Sequence, residues 1–175
     1  MADVLLPPPG GDLDTIPAGL WACQVLKPGI KLAAATDADW VWVQGFKKFD
    51  PQFDPQSEDD SDITMGGWNS EAGTSNGCTI DVEGLYKGAS DTTAGFIPDP
   101  GLTQLIAAGR KTGTGMVERI RCWRTDDVPD AYQGPVLCKV KTTGGDPKEL
   151  QKFSGQLIFR GQPESITKPD ELAGP

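Results

Sequence analysis

Apolar and polar residues alternate with a period of two through several short stretches of this chain, and glycine or proline closes most of them. In Thr79 to Tyr86, Ile80 and Val82 fall on one side of an extended backbone and Asp81 and Glu83 on the other, which predicts a half-buried strand. Three later stretches, 115–124, 134–142 and 150–161, read the same way. Met116, Ile120 and Cys122 share one phase, with Glu118 as the exception. Val136, Cys138 and Val140 oppose Lys139 and Lys141, while Phe153, Gly155, Leu157 and Phe159 oppose Ser154, Gln156 and Arg160. Earlier, Leu20 to Leu26 is an apolar run ended by Pro28-Gly29, and Trp40 to Phe49 has the β-branched and aromatic content of a strand, with Gly45 at a bulge.

One segment carries the helical period instead. Asp99 is a good N-cap, Pro100 suits the first turn, and Leu102, Leu105 and Ile106 form a stripe that Gly109 ends, giving a helix over 99–109. The stretch 50–62 holds Asp50, Asp54, Glu58, Asp59, Asp60 and Asp62 with Pro51 and Pro55, and reads as a long acidic loop. A polar Ser/Gly/Asn linker follows Trp68. No internal repeat is read along the chain. The expected fold is mainly β: an antiparallel β-sandwich or open barrel with one short flanking α-helix, plus extended arms and a long loop. Residues 1–19 form an N-terminal arm, 20–163 the domain, and 164–175 a C-terminal tail.

Composition narrows the function more than it identifies it. The 175 residues include 22 Gly and 15 Pro, which suits short strands and many turns. The net charge of −9 disfavours attraction to phosphate or to an anionic membrane, although a surface that repels a polyanion suits a conduit through which DNA passes without sticking. No apolar run is long enough to span a bilayer and no signal-peptide pattern opens the chain, so a soluble protein made in a cytoplasm is expected, with no membrane insertion. Cys23, Cys78, Cys122 and Cys138 lie far apart and are expected to be reduced, buried thiols.

The chain has no histidine, which removes Ser-His-Asp and Cys-His schemes and histidine metal ligands together. No enzyme activity, cofactor or metal is expected. Asp60, Asp62, Thr64 and Glu71 have part of the spacing of a calcium loop, but Met65 stands where that loop needs glycine. Arg110-Lys111-Thr112 follows a helix rather than preceding one, so it is no phosphate loop. Arg119, Arg121, Lys139, Lys141 and Arg160 share one sheet face, and pairing with Asp81, Glu83 and the acidic stretch is favoured over nucleic-acid binding. Five tryptophans, Trp21, Trp40, Trp42, Trp68 and Trp123, are enough to serve both a core and an interface.

The order of elements resembles one family, the tail-tube proteins of long-tailed, siphovirus-like phages. The carriers are the helix Asp99 to Gly109 and the closing run Phe153-Ser154-Gly155-Gln156-Leu157-Ile158-Phe159-Arg160-Gly161-Gln162-Pro163, similar to the Phe-x-Gly-x-Leu pattern that leads into Gly-x-Pro in that family. The resemblance spans 40–163. It implies a two-sheet fold shared in outline with the type VI secretion tube protein, and a virion subunit assembled in the host cytoplasm. It further implies hexameric rings stacked into a hollow, acidic tube for genome delivery, with double-stranded DNA passing through unbound. Initiator, terminator and tape measure proteins are the implied partners. On this reading Asp81 and Glu83 face the lumen or a neighbouring subunit, and Asp50, Asp54, Glu58, Asp59, Asp60 and Asp62 make the ring-to-ring contact. The competing readings are a capsid decoration or tail completion protein, a carbohydrate-binding β-sandwich with exposed tryptophans, and a hydrolase with paired carboxylates.

Overall fold

A computed structural model of the chain describes residues 20–61, 70–93, 95–146 and 148–169. The strands are β1 (Trp21–Leu26), β2 (Trp40–Trp42), β3 (Phe46–Asp59), β4 (Glu71–Leu85), β5 (Gly88–Asp91), β6 (Gly95–Pro98), β7 (Val117–Arg124), β8 (Ala131–Thr143), β9 (Lys152–Phe159) and β10 (Glu164–Ser165). The helix α1 (Pro100–Gly109) lies between β6 and β7. Apart from the small β5–β6 hairpin, the strands form one antiparallel sheet in the order β2-β1-β7-β8-β9-β4-β3, with β10 added beside β8.

This sheet coils until its two ends meet. Trp21 on β1 stacks on Phe49 of β3 at 5.6 Å and on Tyr132 of β8 at 6.3 Å, although four strands separate β1 from β3 along the sheet. Twist accumulated at roughly 20° per strand brings such distant strands together, and the fold is the open, sandwich-like barrel expected. The alternation read from the sequence fills its interior. Ile80, Leu157 and Cys138 form one cross-strand row, and Val82, Gly155 and Val140 the next. Leu102, Leu105, Ile106 and Ala108 of α1 close the core. Each fully buried leucine or isoleucine contributes about 1.5–3 kcal/mol relative to exposure. Glu118, out of phase in β7, points inward and accepts a hydrogen bond from Gln104 Nε2 of α1 at 2.7 Å.

The helix starts as its sequence predicts. Asp99 Oδ2 accepts from the Leu102 amide at 2.8 Å and from the Gln44 amide at 3.3 Å, so one carboxylate caps α1 and ties it to the β2–β3 connection. The run from Trp40 to Phe49 is two strands rather than one bulged strand. Gly45, at φ 98°, turns the chain between them, a conformation an L side chain rarely adopts.

Further readings of the sequence are corrected. Residues 50–59 are strand, not loop: β3 runs unbroken through Asp59, with Asp60 and Ser61 beyond it and Asp62 outside the described residues. The polar segment 71–78 is the first half of β4, not a linker. A repeat is also present, because Phe49-Asp50-Pro51-Gln52 is followed by Phe53-Asp54-Pro55-Gln56. The four-residue unit puts Phe and Pro on one face and Asp and Gln on the other, which is the period-two pattern of a strand. Pro51 and Pro55 are accommodated because β3 is an edge strand, where alternate N–H groups have no partner in the sheet. Glu164 and Ser165, in the stretch read as a tail, pair with Gln133 and Tyr132. The arm 1–19, Trp68 and residues 170–175 lie outside the described residues.

Candidate functional site

The outer face of the sheet is a lattice of opposite charges. Antiparallel register aligns Asp50, Asp81, Gln156 and Lys139 across β3, β4, β9 and β8, and aligns Lys48, Glu83, Ser154 and Lys141 in the adjacent row. Lys48 Nζ stands 3.8 Å from Asp81 Oδ2 and 3.9 Å from Asp50 Oδ2, and Gln156 Nε2 donates to Asp81 Oδ1 at 2.9 Å. Exposed pairs of this kind are worth about 0–1 kcal/mol each, so the face tolerates rearrangement. Glu83 is exposed. The base that meets Asp81 is thus Lys48, which the sequence reading did not single out.

Arg121 has a different setting from Lys139 and Lys141, though register puts all three on the outer face. It is buried, with its guanidinium 4.7 Å from the Trp40 ring centroid and 5.9 Å from that of Trp123. Its Nε donates to Gln24 Oε1 at 2.6 Å and its Nη1 to Asp37 Oδ1 at 2.8 Å. Trp42 packs against Trp123 at 5.5 Å yet stays 50% exposed, so this aromatic layer reaches the surface. Trp40 and Trp42 share a side, as the spacing predicts, but Trp40 is the buried one.

Beyond the sheet, β3 and β4 continue as a free ribbon. Residues 54–59 pair with 71–77, whereas β4 meets β9 only from Thr79 to Leu85. Six paired residues reach about 20 Å at the usual strand rise. Every residue from Asp54 to Asp59 and from Glu71 to Gly77 is exposed, and the ribbon with its flanking Asp60 carries Asp54, Glu58, Asp59, Asp60 and Glu71 with no basic residue among the described positions. At its root Phe53, 44% exposed, packs against Tyr132 at 5.5 Å.

At the opposite end of the strands lies a cationic cleft. The path from β4 through β9, β8 and β7 to β1 takes four antiparallel steps, so β1 and β4 run in the same direction. The ribbon lies where β4 begins. A cleft of about 200 Å³ lies where β1 ends, lined by Lys27, Pro28, Ile30, Lys111, Val117 and Arg119 among others.

Among the described residues no catalytic constellation is brought together. Cys23, Cys78, Cys122 and Cys138 are free and buried. Burial pushes the Cys122 and Cys138 thiols up to about 12 and that of Cys78 up to about 11, the direction that suppresses a nucleophilic thiolate. Among the described residues, no three of His, Cys, Asp and Glu are placed to hold a metal ion. Of the calcium-like spacing, Asp60 and Glu71 are described, while Asp62 and Thr64 are not.

No family model and no curated protein matches the chain. Solved structures do. A chain from the tail of an empty gene transfer agent particle, determined by helical refinement with C6 symmetry, superposes with a TM-score of 0.55 at 16% identity, over 83% of this chain and 95% of that one. A chain from the virion of the native gene transfer agent gives 0.51 at 16% identity, covering 82% and 95%. One from the six-fold symmetrised baseplate of the anti-feeding prophage gives 0.53 at 9% identity, covering 86% and 93%. At these identities the shared property is the fold, which this chain has in common with components of phage-tail-like particles.

Proposed function

We propose that this chain is the subunit of a phage-type tail tube, in which six copies close a ring and rings stack into a hollow conduit for double-stranded DNA. The observation that carries the reading is the joint presence of two features. One is a fold shared across more than four-fifths of the chain with a chain from a tail refined in C6 symmetry and a chain from a six-fold symmetrised baseplate. The other is a ribbon that extends beyond that sheet with every residue of 54–59 and 71–77 exposed.

In this role the protein is structural and non-catalytic, assembled in the host cytoplasm and carried in the virion tail. Asp81 and Glu83 face the lumen or a neighbouring subunit, where a mixed, net-acidic lining lets DNA slide without adhering. The acidic residues Asp50, Asp54, Glu58, Asp59, Asp60 and Asp62 serve the contact between rings. Initiator, terminator and tape measure proteins are the partners at the tube's ends and in its bore. Six copies at −9 each carry about −54 per ring, a field that salt screens beyond about 8 Å.

Negative-stain electron microscopy of the purified protein at rising concentration tests the reading. Hollow rings or tubes of uniform diameter are expected. Monomers or trimers that persist even with a tail initiator complex present would move the assignment to a decoration protein.

A further inference from the structure

The ribbon is a poor structure on its own. A two-stranded hairpin with no apolar face covered is marginally stable in water, and both of its edges offer unpaired backbone groups. Its carboxylates Asp54, Glu58, Asp59, Asp60 and Glu71 are mutually repulsive and have no cation within the ribbon. Such an element gains stability from a cationic partner. The barrel carries one at the far end of its strands, where Lys27, Lys111 and Arg119 line the cleft and the exposed Lys31 and Arg110 flank it in sequence.

The cleft's own charges are mostly uncommitted. None of the ion pairs among the described residues uses Lys31, Arg110, Lys111 or Arg119. Lys27 Nζ donates to Ala38 O at 2.7 Å and adds to the Thr36 hydrogen bonds that hold the nearby Asp39 carboxyl below its usual range, so Lys27 is partly met within its own subunit. Glu118, the one carboxylate in the lining, accepts from the neutral amide of Gln104, which does not cancel its charge, so the lining sets three cations against one anion. Five carboxylates at one end of the strands therefore face five cations at the other.

We infer that the acidic ribbon of one copy seats against the Lys27–Lys111–Arg119 cleft of a second copy, joining copies head to tail. This rests on the tube reading, and names the surface that receives the ribbon there. The two patches lie on different parts of the subunit, so the contact is heterologous: each copy that docks presents a fresh ribbon or a fresh cleft, and where the repeated rotation does not close a ring the series continues. Each exposed pair is weak, so the contact depends on several acting together and weakens with salt.

Zero-length carbodiimide coupling of an equal mixture of ¹⁴N- and ¹⁵N-labelled protein, read by mass spectrometry, tests this. Mixed-isotope cross-links from Lys27, Lys31 or Lys111 to Glu58, Asp59, Asp60 or Glu71 are expected. Two charge-reversed variants accompany it, Glu58→Lys/Asp59→Lys/Asp60→Lys and Lys31→Glu/Lys111→Glu/Arg119→Glu, all at exposed positions. Each alone should need at least a tenfold higher concentration to assemble, while their equimolar mixture, in which opposite charges again meet, should recover wild-type assembly. Rings or tubes whose cross-links fall elsewhere would overturn the inference and leave the tube reading standing. Ribbon-to-cleft cross-links without rings would support the inference and remove the tube. Neither assembly nor cross-links would remove both.

Discussion

The guanidinium of Arg121 lies over the Trp40 ring, 4.7 Å from its centroid, while its Nε reaches Gln24 and its Nη1 reaches Asp37. Gln24 is itself buried and sits opposite Arg121 in the β1–β7 register, so removing the arginine leaves a buried polar group without its donor and also loses the cation over Trp40. Arg121→Ala should destabilise the fold by about 2–3 kcal/mol, combining the cation–π contact with the unsatisfied Gln24 oxygen. Arg121→Lys keeps the charge but not the planar fork and should recover only part of that. Urea unfolding followed by tryptophan fluorescence measures both; an alanine variant within about 0.5 kcal/mol of wild type would refute the account.

Asp99 joins two elements through one side chain, accepting from Leu102 and from Gln44. Asp99→Ala should cost about 1–2 kcal/mol, and Asp99→Ser, which retains a capping oxygen, clearly less. Hydrogen exchange should show the loss first at the amides of Leu102 and Gln44. Uniform acceleration across the sheet would mean that the cap is not the local fastener described.

The buried thiols give a signed dependence on pH. Their folded pKa values are raised, with Cys122 and Cys138 at about 12 and Cys78 at about 11, against an ordinary value of 9.0. The unfolded chain therefore releases these protons first as pH rises. Stability contributed by the neutral thiols is complete below about pH 9 and is lost progressively towards pH 12. Unfolding midpoints should fall across that window, and the fall should shrink when Cys122 and Cys138 are replaced by alanine. At pH 8 the native protein should resist alkylation that the unfolded chain accepts readily; rapid native labelling would contradict the buried placement.

Asp81 and Glu83 stand on the outer face with water on one side, so the double change Asp81→Lys/Glu83→Lys should move the unfolding free energy by less than about 1 kcal/mol. Its effect should appear in the particle instead, as slower DNA delivery or disturbed ring closure. Normal assembly with undiminished delivery would show that these two carboxylates have no part in either.

The strands with one buried face were legible because Ile80/Val82, Val136/Cys138/Val140 and Phe153/Leu157/Phe159 alternate against charged or small neighbours, and the helix because Asp99, Pro100 and Gly109 punctuate it. The ribbon was not, because none of its residues is buried: with no apolar face to mark a period, charge and proline content dominated the reading. The signal present was the regular spacing of Phe49, Pro51, Phe53 and Pro55. The hairpin β5–β6 escaped for a similar reason, since Gly88–Asp91 is wholly exposed. Arg121 looked like any surface cation because burial beneath Trp40 is set by a strand 81 residues earlier in the chain, which no local pattern reports. The cleft at the end of β1 depends equally on such distant pairing.

The tandem unit in β3 has a consequence for how this molecule can change. Sliding β3 along β4 by four residues would exchange like for like within one unit, but it would seat Asp50 where Phe46 packs and Ser57 where Phe53 packs, so inside the unit polarity leaves the alignment open and only the flanking residues distinguish it. What sets the alignment is the anchored start of the strand, where Gly45 turns the chain and the register shifts between Phe46 and Lys48. For the same reason, gaining or losing one unit would alter the projection by about 13 Å on that strand without turning any residue to the wrong face. The segment behaves as an extensible ruler whose graduations are four residues long, and duplication of a twelve-base stretch of gene is enough to add one.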